Sequence, residues 1–325
     1  MLNKTLKITD DLVSLRDGFG EGIVKAGENN ANVVVITADL KESTRVKDFA
    51  EKFPERFFDV GVAEQNLIAV ASGMANYGKI PFCTSYAVFS PGRTFEQIKV
   101  TVALNNVPVK IVGAHAGFGA GPYGATHQAL EDIALMSVLP NMIIVVPCDS
   151  EEARKATLAI AKNGKPSYLR LNREPIALFT TEKTPFEIGK AEIFWESKSP
   201  QVAIIAAGPL VYEAILAAKN LGKKGIDSLV LNCHTIKPID EQAIVHVAKI
   251  TGAVVTVEDH QIAGGLGSVV AEVLAKNYLV PMEFVGVKDP FGESGKAKEL
   301  MEKYQMTSGD IINAVKKVIV RKKED

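Results

Sequence analysis

In the segment Asp59-Val60-Gly61-Val62-Ala63-Glu64-Gln65-Asn66 a carboxylate stands just past a short apolar run, Phe57 to Val60, and at the head of a helical pattern. Leu67, Ile68, Val70, Ala71, Met74 and Ala75 recur at three- and four-residue spacing. The spacing places Glu64 in the first turn of a helix, where the helix dipole favours an acid. A solvated first-turn charge would fit that pattern too. The flanks, however, are almost wholly apolar or small, which points to a buried carboxylate. Such a group needs a partner or a raised pKa, and a carboxyl in an apolar site can supply a proton at neutral pH. His127, in Gly124-Ala125-Thr126-His127-Gln128 just ahead of a second helical pattern, could donate to a hydroxyl or shuttle a proton. It could equally cap that helix.

Elements must carry these groups. The first part of the chain alternates strand and helix. Strands are expected at Val33-Ile36, Phe57-Val60, Pro81-Thr84, Val109-Gly113, Met142-Val146 and Ser167-Leu171. Helices are expected near Asp11-Ala26, Glu64-Tyr77, Thr94-Leu104, Ala129-Val138 and Glu151-Lys162. Such alternation predicts a mostly parallel α/β sheet covered on both faces. Ligands of such sheets collect at the carboxyl ends of strands, where Asp39, Glu64 and His115 fall. Residues 174–190, with Pro175, Pro185 and several threonines, read as a linker. A second, smaller α/β unit follows, with strands at Val202-Ala206, Ser228-Leu231, Val254-Val257 and Met282-Val285, a helix at Pro209-Leu221 and a final helix near Ile311-Val320. Two domains are therefore expected, 1–175 and 190–325, with a solvated, fraying tail over Arg321–Asp325.

At 325 residues, 47% hydrophobic and 23% charged, the composition is that of an ordinary globular protein with room for two cores. A formal net charge of -1 argues against a general nucleic-acid binder. Cys83, Cys148 and Cys233 have no metal spacing and read as buried thiols in a reducing compartment. The first residues lack an apolar signal core, and no run reaches the length of a membrane span. A cytoplasmic protein is expected.

Several segments, in order, resemble one family. Glu64 is followed by Ala69-Val70-Ala71-Ser72-Gly73-Met74-Ala75, then by Thr84-Ser85-Tyr86-Ala87-Val88-Phe89, Gly124-Ala125-Thr126-His127-Gln128, Val146-Pro147-Cys148-Asp149 and Leu171-Asn172-Arg173. From about Leu12 to its end the chain resembles the pyrimidine-binding and C-terminal domains of transketolase, and most closely the C-terminal subunit of transketolases encoded as two chains. The resemblance implies thiamine diphosphate as cofactor, with Glu64 as the acid facing its aminopyrimidine, Phe89 stacked on that ring, Tyr86 as a nearby wall and Asp39 as a further cofactor-site acid. It makes His127 a catalytic contact to substrate hydroxyls. It makes Arg16, Ser43, His115 and Arg173 a group that binds phosphate and hydroxyls at the channel mouth. The separations of 23 positions from Arg16 to Asp39, 4 from Asp39 to Ser43 and 12 from His115 to His127 agree with it. Read singly, Phe89 and Tyr86 would pass for core aromatics, and each charged residue for a surface ion-pair member.

One position departs from the pattern. Where transketolases commonly have an aspartate that contacts the hydroxyl next to the donor carbonyl, this chain has Tyr123. A neutral phenol there implies an altered donor. The chain also has no Gly-Asp-Gly segment, the family's source of ligands for the Mg²⁺ or Ca²⁺ that holds the diphosphate. The resemblance therefore places the metal in an N-terminal partner subunit, most simply in a two-plus-two heterotetramer acting on sugar phosphates. Half of a 1-deoxyxylulose-5-phosphate synthase-like enzyme, a 2-oxoacid dehydrogenase beta subunit and a catalytically silent interaction subunit are the alternatives. Gly264-Gly265-Leu266-Gly267-Ser268, after Val257-Glu258-Asp259-His260, reads as a tight packing turn rather than an anion site. His234 and His246 read as surface or partly buried structural residues.

Overall fold

Val33–Thr37, Lys110–Ala116 and Ser167–Asn172 are buried at every residue, as strands covered on both faces must be. The computed structural model describes residues 1–324. In chain order its strands are β1 (Leu12–Val13), β2 (Val33–Thr37), β3 (Phe57–Asp59), β4 (Ile80–Tyr86), β5 (Lys110–Ala116), β6 (Ile143–Val145), β7 (Ser167–Asn172), β8 (Ile176–Ala177), β9 (Glu192–Glu196), β10 (Val202–Ala206), β11 (Ser228–Asn232), β12 (Thr235–Lys237), β13 (Val254–Gln261) and β14 (Met282–Val287). The first sheet has the order β12-β6-β7-β5-β4-β2-β3, and the second β14-β13-β10-β11-β9. All pairings in the first are parallel except β12 with β6, and in the second all except β9 with β11. The expected α/β architecture with mostly parallel sheets is present.

The helix Leu15–Asn29 starts at Ser14, whose hydroxyl accepts the Arg16 N–H at 3.3 Å. The helix Ser150–Ile160, which packs on it, starts at Asp149. The Asp149 carboxylate also accepts from the backbone N–H groups of Phe179 and Thr180 at 3.0 and 2.6 Å. So the expected linker is anchored: it contributes β8, paired antiparallel with β1, and a fully buried Phe179. The helix expected over Thr94–Leu104 is instead a short α turn, Phe95–Gln97, followed by a wide π-type turn, Ile98–Ala103.

Two segments cross between the units. Thr235 and Lys237 of β12 pair with Val145 and Ile144, which gives the first sheet an antiparallel edge from the second half of the chain. At the other end of the sequence, Leu2 bridges to Trp195 of β9. One continuous apolar cluster includes Ile36, Leu67, Ile111 and Ile144 of the first unit and Ile205, Leu231, Val254 and Leu266 of the second. His234 lies inside this region, 0% exposed and stacked on Phe186 with ring centroids 4.2 Å apart. It is a core histidine rather than a surface one, and burial lowers its pKa to about 4. The tail is not frayed up to Lys322: the helix Ser308–Glu324 runs through it, Arg321 pairs with Glu283 at 2.7 Å and Lys322 donates to Thr251 O at 2.6 Å. Asp325 lies outside the described residues.

Between the units lies a buried cation. Arg170 of β7 donates to Asp132 Oδ2 at 2.8 Å, to Asp259 O of β13 at 2.8 Å and to Ala129 O at 3.2 Å. Asp132 Oδ2 also accepts from the Tyr168 hydroxyl at 2.6 Å. Burial opposes the charge on Arg170, yet the neighbouring carboxylates raise its pKa above the usual arginine value. Removing one member of such a pair strands the other in a medium that cannot solvate it. Arg170→Leu is expected to lower unfolding free energy by about 3–5 kcal/mol. Urea denaturation followed by the fluorescence of Trp195, the single tryptophan, measures this. A loss under about 1 kcal/mol would show that the pair only breaks even against packing.

Candidate active site

Glu64 is placed by three local features. β3 ends at Asp59, whose Oδ1 accepts the Gly61 N–H at 2.9 Å and the Asp39 N–H at 3.0 Å. Gly61 turns the chain with φ 71°, a conformation glycine adopts without strain. The helix Glu64–Asn76 then begins at the glutamate itself and buries Leu67, Ile68, Ala71 and Ala75 against the sheet. Glu64 is 3% exposed. Its Oε1 accepts from the Ser85 hydroxyl at 3.2 Å. Its Oε2 is buried without a hydrogen-bond partner, and the Arg93 guanidinium stands 3.7 Å from it. A half-satisfied buried carboxylate is costly unless something donates to it.

The end of β4 delivers the rings. Tyr86 closes the strand, and a wide turn over Val88–Arg93 holds Phe89 with its ring 6.0 Å from that of Tyr86 and nearly parallel to it. Arg93 lies over the Phe89 ring at 5.2 Å. Sequence reasoning missed Arg93; it stands seven residues after Tyr86 among small and turn-forming residues, with no periodicity to single it out.

β5 delivers His115. Its backbone is left-handed, φ 59°, where β-carbon crowding disfavours most residues. The ring lies 3.9 Å from Tyr86 and 6.3 Å from Tyr123. Nδ1 is buried and unpartnered. Burial first, and then the charges of Arg16 and Arg173, lower the His115 pKa to about 3. The loop after β5 brings His127 edge-on to Phe89 at 5.3 Å and Tyr123 face-on to His127 at 5.4 Å. Arg173, at the end of β7, lies over Tyr123 at 5.4 Å. Thus Tyr86, Phe89, His115, Tyr123, His127 and Arg173 form one contiguous cluster, which Glu64 joins through Arg93.

Arg16 and Ser43 join it through the backbone. Arg16 donates to Ser43 O at 2.8 Å and to Arg173 O at 2.9 Å, and its Nε to Ser14 Oγ at 3.2 Å. Three of its donors are therefore spent on positioning, and burial lowers its pKa. Asp39 is exposed, in a left-handed conformation with φ 59° at the end of β2. Among the described residues its side chain makes no hydrogen bond or ion pair with the cluster.

In the glycine-rich turn before the helix Leu266–Asn277, the N–H groups of Gly264, Gly265, Leu266 and Gly267 are all taken by the protein itself. Glu258 accepts from the N–H groups of Leu266 and Gly267 at 2.6 and 2.8 Å. A β-carbon at Gly265 would meet Glu258 Oε2 at 2.0 Å, so the turn is a close packing device. Cys83, Cys148 and Cys233 are buried free thiols, and burial raises the pKa of each. Among the described residues, no group of three or more His, Cys, Asp or Glu is placed to hold a metal ion, and no helix is long and apolar enough to cross a membrane.

Residues 11–177 match the family described as transketolase, pyrimidine binding domain, and residues 189–311 the family described as transketolase, C-terminal domain. A 6-deoxy-6-sulfo-D-fructose transketolase subunit of a Clostridium species is 41% identical over 95% of this chain and 95% of its own length. An apulose-4-phosphate transketolase subunit from Phocaeicola vulgatus is 34% identical over 91% of this chain and 95% of its own length. A solved structure described as a split gene transketolase, inactive beta4 tetramer, superposes with a TM-score of 0.89 at 43% identity, covering 95% of this chain and 99% of that one.

The His115 imidazole carries a testable consequence. With its pKa lowered to about 3, it stays neutral well below the usual value near 6.5. Below about pH 6.5 the unfolded chain takes up a proton that folded His115 refuses, so this group works against stability as the pH falls. Glu258 and Asp259, raised by burial to about 8 and about 6, act in the opposite sense, so a melting curve mixes the two. The imidazole resonances separate them. From pH 8 to 5 the His115 ring carbons should hold constant shifts; a titration midpoint above 6 would contradict the burial argument.

Proposed function

Since the chain belongs to the transketolase family, through its pyrimidine-binding and C-terminal domains, we propose that it is the C-terminal subunit of a two-chain transketolase. In this reading it transfers a two-carbon ketol unit between sugar phosphates in an active site shared with an N-terminal subunit, which supplies the metal ligands. The observation that carries the proposal is the unpartnered Glu64 Oε2, which Arg93 links to the Phe89 ring and Ser85 to the strand end that carries Tyr86. A buried carboxyl with a free oxygen, near a pair of stacked rings, fits an aminopyrimidine. Bound, thiamine diphosphate supplies the nucleophilic carbon that carries the two-carbon unit. The family likeness to split-gene subunits and to a solved tetramer supports both the partner and the oligomer.

The residues divide the work. Glu64 holds a proton at the ring nitrogen it faces. Phe89 offers a flat apolar surface, worth about 0.5–1.5 kcal/mol beyond burial. His127 exchanges hydrogen bonds with substrate hydroxyls. His115, neutral and buried, donates or accepts without bringing a charge. Arg173 presents its guanidinium to the substrate's anionic end, while Arg16 fixes the backbones of Ser43 and Arg173 and adds positive potential. Asp39, at the rim, belongs to the cofactor side in this reading and acts through its field rather than by contact. Tyr123 places a large neutral phenol where an acid would select a donor hydroxyl, so the donor differs from ordinary ketose phosphates. The named relatives, which act on a sulfonated sugar and on apulose 4-phosphate, are consistent with such variation.

Two measurements test this. The purified chain should be folded but without transketolase turnover, and adding the N-terminal subunit with thiamine diphosphate and Mg²⁺ should restore it. Robust turnover by the chain alone would end the two-chain reading. In the assembled enzyme, Glu64→Gln should leave subunit assembly intact but slow exchange of the thiazolium proton by at least about a hundredfold, as read by NMR. Exchange at the normal rate would remove Glu64 from the acid role.

A further inference from the structure

Tyr123 and His127 sit on a segment whose own backbone does little to fix them. Gly121 and Gly124 have φ of 58° and 73°, and Tyr123 is 46% exposed. The constraints come from the other domain. Gln128, 3% exposed, donates from one amide nitrogen to Gly121 O at 3.1 Å and to Glu293 O at 2.9 Å. Phe118, at the start of the same segment, donates its N–H to Asp259 Oδ1 at 3.2 Å and stacks on Tyr304 with centroids 4.5 Å apart. The 289–295 segment is in turn tied to its own domain. Gln261 donates to Pro290 O and accepts from Asp289 N, each at 2.9 Å, and the Tyr304 hydroxyl donates toward Phe291 O at 3.2 Å and Glu293 Oε1 at 3.0 Å.

We infer that the C-terminal domain sets the position of Tyr123 and His127 through Gln128, whose amide joins the loop that carries them to the 289–295 segment. Gln128 is a positioning residue for the reaction, an inference that rests on the proposed function of the site. The chemistry suits the task. A primary amide offers two donors from one nitrogen, so a single side chain can grip one carbonyl on each domain. The grip is close: a β-carbon at Gly292 would lie 1.8 Å from Gln128 Oε1, which leaves no room for a side chain there without moving the amide. Buried polar links of this kind cost free energy when half made, so the amide couples the two segments. The second domain, which among the described residues contributes no member of the Glu64 cluster, thereby acts on the ring and imidazole that line it.

Gln128→Leu and Gly292→Ala test this in the assembled enzyme. A group displaced by about 1 Å can cost up to about a hundredfold, so the KM for the ketose donor should rise about tenfold or more. The affinity for thiamine diphosphate, whose proposed contacts are Glu64, Tyr86 and Phe89, should stay within twofold. An unchanged KM overturns the inference, and so does an equal loss of cofactor affinity, the sign of general loosening. A second arm does not depend on activity. In the full chain with ¹³C-labelled histidines, the His127 ring resonance should shift in both variants while that of exposed His246 stays put. Tyr304→Phe keeps the stack on Phe118 but removes the two hydroxyl bonds to 289–295; it should shift His127 in the same direction by less, and it stands in if the first two variants do not fold. A His127 resonance unmoved in every folded variant overturns the inference. A shifted resonance in a protein that never turns over with its partner would instead overturn the proposed function and leave the brace in place.

Discussion

A carboxylate shut away from water with only one oxygen bonded organises the first domain. Glu64 takes a hydrogen bond from Ser85, and Arg93 stands near its other oxygen without donating to it. An ion pair at that spacing with a half-exposed arginine is weak, whereas the carboxylate itself is only 3% exposed. The strands that hold the group in place, β2, β4 and β5, are buried along nearly their whole length. The π-type turn after β4 and the left-handed backbone at His115 are local departures from regular structure. Both lie at the carboxyl ends of strands, and both turn a ring toward the same place. Strained backbone of this sort persists where the surroundings over-determine it.

A second group of buried charges sits at the junction of the two domains, and its members are bonded. Arg170 is surrounded by Asp132, Tyr168 and the carbonyl of Asp259, while Glu258 spends both oxygens on the helix that follows it. His260 beside them is neutral, its pKa lowered by burial to about 4. Such a network is worth little as a sum of attractions, but it penalises any arrangement that breaks it. It specifies one relative placement of the two sheets, and the continuous apolar cluster between them supplies the affinity.

Much of this is legible in the residues. Runs of Val and Ile at regular intervals mark the strands and their parallel order. The apolar flanks of Glu64 foretell its burial, and Tyr86 and Phe89 do stack on each other. What escapes detection depends on contacts between distant residues. Thr235-Ile236-Lys237 is too short to show a strand period, and it becomes a strand only because β6 offers an edge. His234 resembles a polar surface residue because nothing local reveals Phe186 above it. Phe179 in the apparent linker is buried because Asp149, thirty positions earlier, binds the backbone next to it. Arg16 matches a ligand-binding position by spacing, yet three of its donors are used on the protein itself, which no spacing could disclose.

The seventh strand of the first sheet comes from residues beyond the second sheet's first three strands in the chain, so the two halves are interleaved rather than strung together. For protein engineering this sets the unit of exchange. A chimera that kept residues 11–177 and grafted a foreign C-terminal domain would leave β6 with an open edge, a ready site for pairing with another molecule, unless the graft carried an equivalent of β12 in register. The same interleaving lets a change confined to the second half reach the first sheet without touching the Glu64 cluster.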